Sequence, residues 1–142
     1  MHHHGTAHTP SDLCVEVLGE RVTIVGDIAM GNRIANIDDG SYPGTLKYYE
    51  ALQAATTDKD QLWAPGHGEP ARDLLQTYGR FMSGIWEPCL QAVKDGRSEA
   101  EAKAMVLADP RVASRAKTMQ GFDSNIGKYV SLAYLEAEKE AF

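Results

Sequence analysis

Cysteine is scarce in this sequence: Cys14 and Cys89 are the only two, they lie far apart in apolar surroundings, and neither belongs to a Cys-x-x-Cys pair. That argues against a disulfide framework and points to a reducing, cytoplasmic compartment, with both thiols read as small buried hydrophobes. Positive charge is also short. Lys and Arg number 14 against 20 Asp and Glu, a formal net charge of −6, whereas a nucleic-acid polyanion as main partner would require a basic face. No apolar run reaches membrane-spanning length, and no signal-peptide core follows the N-terminus, so no membrane partner is expected. Internal repeats, low-complexity tracts and linkers are missing too. What remains is one globular domain, or a substantial part of a larger one. Its 43% hydrophobic and 24% charged residues are ordinary for such a chain of 142 residues, which can bury about two-thirds of its unfolded surface.

The chain changes character near residue 70. Before it come short β-like runs separated by turns. Leu13 to Val17 and Val22 to Val25, with Gly19-Glu20 between them, predict a hairpin. The stretch from Gly26 to Gly44 is rich in Gly and Asp and reads as loop. Thr45 to Ala55 reads as a helix, and Leu62 to Ala64 as a third strand, ended by Pro65 and the Gly66-His67-Gly68 turn. Beyond that the sequence reads as almost all helix. Leu74, Tyr78, Phe81, Met82, Ile85, Trp86, Cys89, Leu90 and Val93 recur at three- and four-residue steps, with Pro70 suited to the first turn and Pro88 expected to kink the helix. Gly96 ends that helix, and Ser98 with Glu101 forms a capping-box signature for the next. Asp109-Pro110 interrupts again, and a last helix is expected after Asp123, reaching Glu140 with Ile126, Val130, Ala133 and Ala137 inward. The fold class is α+β: short strands with flanking helices, then a helical tail. Residues 1–4 read either as a tag remnant or as native strand sequence, and no ligand is placed there; 5–70 and 71–142 form the two further segments.

Beyond His2, His3 and His4, histidine is nearly absent: only His8 and His67 remain. Both stand at strand–loop junctions, and between them Asp27 follows the second strand in Ile24-Val-Gly-Asp27. Strand ends are where side chains that must converge on one point are usually carried. Imidazole and carboxylate together suit zinc, iron or manganese, and two such ions need an anionic bridge against their repulsion. Gly26 lets the backbone beside Asp27 approach closely, and glycines on both sides of His67 let a tight turn aim its ring.

Taken in order, His8-Thr9-Pro10, Gly26-Asp27, Asp38-Asp39-Gly40-Ser41 and Pro65-Gly66-His67-Gly68 resemble the C-terminal half of the metallo-β-lactamase superfamily, over roughly residues 5 to 70. The resemblance implies an αββα-type fold, of which this is the C-terminal half, and a metal-dependent hydrolase, with one or two zinc ions (or iron or manganese). It assigns His8 to the first metal, Asp27 to both as the bridging and catalytic carboxylate, and His67 to the second. Thr9 and Asp12 become supports behind the ligands. Asp at position 27 is unlike the branch that hydrolyses β-lactams, where Cys is frequent at the matching position. It points to thioester, lactone or sulfur-compound hydrolysis of a small-molecule substrate.

The family's His-x-His-x-Asp-His cluster does not occur in this sequence, and His2, His3 and His4 cannot supply it. Three ligands over two metals leave both under-coordinated, so the chain alone is expected to be inert or weak and to need the N-terminal half of the same fold. A halved sheet exposes a face, which invites that partner or a homodimer. The competing reading is a non-catalytic interaction module with relic ligands; a third is a metal-storage or redox domain using Cys14 and Cys89. Asn32-Arg33 and Asp38-Asp39 are read as solvated or loop-bracing in preference to lining a substrate mouth, Tyr42, Tyr48 and Tyr49 as packing residues, and the acidic run from Glu136 to Glu140 as a solvated helix face.

Overall fold

The computed structural model describes residues 1–34 and 36–142. The fold is α+β with a long C-terminal helix. In chain order the elements are β1 (Val15–Val17), β2 (Val22–Gly26), α1 (Tyr42–Ala55), β3 (Leu62–Pro65), α2 (Leu74–Lys94), α3 (Glu99–Ala108), α4 (Pro110–Ala113) and α5 (Phe122–Ala141). The chain divides into two compact units, Met1–Arg33 with Asp39–Gly79 and Ile34–Asp38 with Arg80–Phe142, the division falling within α2.

In the first unit the three strands form one sheet in the order β1-β2-β3, with β1 antiparallel and β3 parallel to β2. The register aligns Glu16, Thr23 and Trp63 across the sheet, and Val15, Ile24 and Ala64 one rung away. Because successive side chains point to opposite faces, the two sets lie on opposite sides. Thr23, Val25 and Trp63 are buried on the inner side. There Thr23 Oγ1 donates to Gln61 Oε1 at 2.8 Å, which satisfies two buried polar groups together. The outer side carries Val15, Val17 and Ile24, which stay 40%, 38% and 48% exposed.

Helix α1 starts three residues before the sequence expectation. Ser41 caps it by accepting from Gly44 N, and Pro43, inside the stretch expected to be loop, sits in the first turn where its missing N–H costs nothing. Helix α2 starts later than expected, at Leu74 rather than near Pro70. The residues ahead of it are occupied: Ala71 exchanges both backbone hydrogen bonds with Trp63, and Arg72 donates to Asp60 O. Pro88 lies within α2, which is assigned without a break from Leu74 to Lys94.

In the second unit, α2 ends in a Schellman turn, with Gly96 N donating to Val93 O and Arg97 N to Ala92 O. Ser98 and Glu101 form the expected capping box. The core gathers Phe81, Ile85, Trp86, Val106, Phe122 and Tyr129, with Phe81 in ring contact with both Phe122 and Tyr129. Ile126, Val130, Ala133 and Ala137 of α5 are buried, as their spacing predicts. Glu138 and Glu140 are exposed. Asp38 accepts from Asn36 and pairs with Lys128, a loop-bracing role. Among the described residues no helix is long and apolar enough to cross a membrane.

Candidate metal centre

The parallel strands β2 and β3 end side by side, and the residues just past them face each other. Asp27 follows β2 and His67 follows β3; Gly66 N donates to Gly26 O at 2.8 Å and ties the two strand ends together. His8 comes in from the segment before β1. The structure brings all three together, and it does so in a divided way. Oδ2 of Asp27 lies 4.0 Å from Nε2 of His8, while Oδ1 lies 3.6 Å from Nε2 of His67. Each imidazole has its own carboxylate oxygen.

Donors about 2.1 Å from a zinc ion at a tetrahedral angle stand about 3.4 Å apart. The His67–Asp27 separation of 3.6 Å is close to that value, and the His8–Asp27 separation of 4.0 Å is somewhat wide. Two ions sharing one carboxylate are what these two separations would allow; among the described residues no three His, Cys, Asp or Glu side chains converge as ligands of one ion. Each ion would draw two donors from this chain, half of a tetrahedral complement. The side chains are partly open to solvent, His8 at 21%, Asp27 at 37% and His67 at 44%.

The loops are held by backbone contact that only glycine permits. A Cβ on Gly66 would stand 2.4 Å from Asp27 Oδ1, so that glycine clears the space the carboxylate occupies. Gly31 and Gly68 meet back to back. A Cβ on Gly68 would fall 2.1 Å from Gly31 O, and one on Gly31 would fall 2.7 Å from Glu69 O. This closeness lets Gly31 N donate to His67 O at 3.0 Å. The sequence had suggested that Gly26 provides a close approach beside Asp27. A Cβ there would meet nothing within 4 Å; Gly26 is needed for its φ of 59°. The close approach belongs to Gly66.

Thr9 and Asp12 close the turn after His8. Asp12 accepts from Thr9 N at 2.6 Å and from Thr9 Oγ1 at 3.0 Å, so the pair braces the loop backbone. His2 pairs with Cys14 in a β-bridge, and its Nε2 lies 2.9 Å from Glu16 Oε2. Cys14 and Cys89 are free and buried, and burial pushes their thiols up to about 11 and about 12, the weakly nucleophilic end of the cysteine range. The residues that sequence reasoning undervalued are Tyr48 and Tyr49. Both are buried as expected of packing residues, yet the Tyr48 hydroxyl reaches His2 O and Asp12 O and the Tyr49 hydroxyl reaches Ile28 O, next to Asp27. A periodicity signal cannot reveal this, since Tyr and Phe read alike as apolar positions.

Compared with protein-family models and with curated proteins, the chain gives no match.

Proposed function

We propose that this chain supplies the C-terminal half of the metal centre of a metal-dependent hydrolase of the metallo-β-lactamase type, with zinc as the metal. The substrate is a small molecule carrying an ester, thioester, lactone or related bond. The observation that carries this reading is the division of one carboxylate between two histidines, Oδ2 of Asp27 towards His8 and Oδ1 towards His67. His8 would hold one ion, His67 the other, and Asp27 would span both. The ions would make water a usable nucleophile near neutral pH and offset the oxyanion charge that develops at the attacked centre. The chain's own part is to keep the Asp27 carboxylate at a fixed spacing between its two imidazoles. Two donors per ion leave both positions under-coordinated, so the chain alone is inert or weakly active, and the N-terminal half of the same fold provides the rest.

A second reading rests on a different observation. The outer sheet face presents Val15, Val17 and Ile24 at 38–48% exposure, with no charged residue in that rung pattern. Such a face suits a non-catalytic module that docks on a partner or on its own copy, with the ligands as relics.

Zinc affinity separates the two. It is measured by chelator competition on the protein with His2, His3 and His4 replaced by Ala throughout, then on Asp27→Ala and His67→Ala in that background. The hydrolase reading expects zinc binding that falls at least about tenfold in each variant, in line with loss of a ligand. Negligible binding in all three forms removes it and leaves the docking module.

A further inference from the structure

We infer that Tyr48 and Tyr49, adjacent on α1, are positioning residues that set the spacing between His8 and Asp27. The inference rests on the metal-centre reading above and deepens it. Adjacent helical residues project about 100° apart, so two consecutive tyrosines reach two different segments. Tyr49 is buried and its hydroxyl donates to Ile28 O at 2.5 Å. Ile28 is the residue after Asp27, and its own N–H donates back to Val25 O at 3.4 Å. Asp27 is thus the corner of a turn closed on one side by Val25 and anchored on the other by Tyr49.

Tyr48, fully buried, reaches the other segment. Its hydroxyl lies 3.2 Å from Asp12 O and 3.2 Å from His2 O. One hydroxyl proton serves one of these carbonyls at a time. Asp12 is the residue whose carboxylate closes the turn after His8 through Thr9. The same helix also grips the front of that turn, since Ser41 N, at the α1 cap, donates to Ala7 O at 2.8 Å. Helix α1 therefore touches residues flanking His8 on both sides and the residue following Asp27. Packing alone does not account for this pattern. A phenylalanine would fill the same buried volume, whereas a buried hydroxyl is tolerated only where it is paired. Tyr49's partner follows Asp27 directly, and of Tyr48's partners Asp12 lies on the turn after His8, while His2, His4 and Cys14 lie outside it.

The test uses Tyr48→Phe and Tyr49→Phe in the background with His2, His3 and His4 replaced by Ala, with Leu52→Val, a buried position on the same helix, as a control for general loosening. Readouts are Co(II) affinity, the visible Co(II) spectrum, thermal midpoint, and hydrogen exchange at the amides of Thr9, Gly31 and Gly66. Each tyrosine variant is expected to bind Co(II) about 10–100-fold more weakly, as when a partner behind a metal ligand is lost. Its spectrum shifts, while Leu52→Val loses midpoint but keeps affinity and spectrum. Exchange quickens at Thr9 for Tyr48→Phe and at Gly31 and Gly66 for Tyr49→Phe. Unchanged Co(II) affinity and spectrum in both tyrosine variants overturn the inference, as does an equal loss in Leu52→Val. If the parent protein binds no Co(II), the metal reading is what fails. Exchange then decides the positioning role alone: faster exchange at those amides upholds it and unchanged exchange refutes it.

Discussion

At the scale of single residues, the carboxylate of Asp27 and the missing side chain of Gly66 are two parts of one arrangement. A methyl group at 66 would stand 2.4 Å from Oδ1, well inside contact distance, so Gly66→Ala must turn the carboxylate away from His67. Gly66 has no positive φ, unlike Gly26 and Gly68, so alanine there meets no backbone strain. The expected result is a fold of nearly unchanged thermal midpoint with zinc affinity reduced about tenfold, about 1.4 kcal/mol, read by chelator competition. A second residue-scale effect lies far from the site in sequence. Asp109 accepts from Arg111 N, Nε and Nη2 at 2.8–2.9 Å, and these bonds, the guanidinium's first, hold its carboxyl below the usual 3.8. A carboxyl depressed in the folded state stabilises the fold above the unfolded value and loses that stabilisation as pH falls through the folded value. Asp109→Asn should therefore lower the urea midpoint at neutral pH. Its difference from the parent protein should shrink as pH falls below 3.8 and vanish only below the depressed folded value, measured by urea titrations across that range.

At the scale of elements, boundaries follow from caps and from competing backbone partners. Helix α3 buries little, chiefly Ala102 and Val106, so its stability leans on its first turn. Ser98 Oγ accepts from Glu101 N at 3.3 Å, and Glu101 Oε2 accepts from Ser98 N at 2.8 Å. Ser98→Ala should cost about 1 kcal/mol, seen as a lower urea midpoint at unchanged slope and as faster amide exchange over residues 99–102. The same capping logic made α3 and the end of α2 readable in advance, because Ser98, Glu101 and Gly96 act on neighbours in the chain. The start of α2 was not readable. Pro70 suits a first helical turn, but Ala71 is claimed by a strand residue, Trp63, through two hydrogen bonds, and no local pattern announces a partner that distant.

At the scale of the whole molecule, the outer face of the sheet stays partly exposed at Val15, Val17 and Ile24. Its two rungs read Val15-Ile24-Ala64 and Val17-Val22-Leu62. Leu13 and Leu18 add further exposure beside them, 57% and 71%. An uncharged face beside a short edge strand favours association. Light scattering across a concentration series should show the parent protein associating, and Ile24→Lys should hold it at monomer mass. A parent protein that remains monomeric at high concentration would count against a self-docking face and leave a different partner for it.

The sequence by itself determined the existence of the periodic elements, the first turn of α3, the glycine end of α2 and the inward stripe of α5, and it singled out His8, Asp27 and His67 as candidates. Each of these is carried by residue type at short spacing, where helical pitch, strand alternation and capping chemistry act locally. Only the tertiary structure decided the rest: that His8, Asp27 and His67 meet, and that Asp27 turns one oxygen to each. It also decided that Gly66 rather than Gly26 makes room for the carboxylate, and that the Tyr48 and Tyr49 hydroxyls reach Asp12 O and Ile28 O. These depend on segments tens of residues apart being pressed to within a few ångströms. The direction of a hydroxyl and the space beside a carboxylate are set by that packing, not by neighbours along the chain.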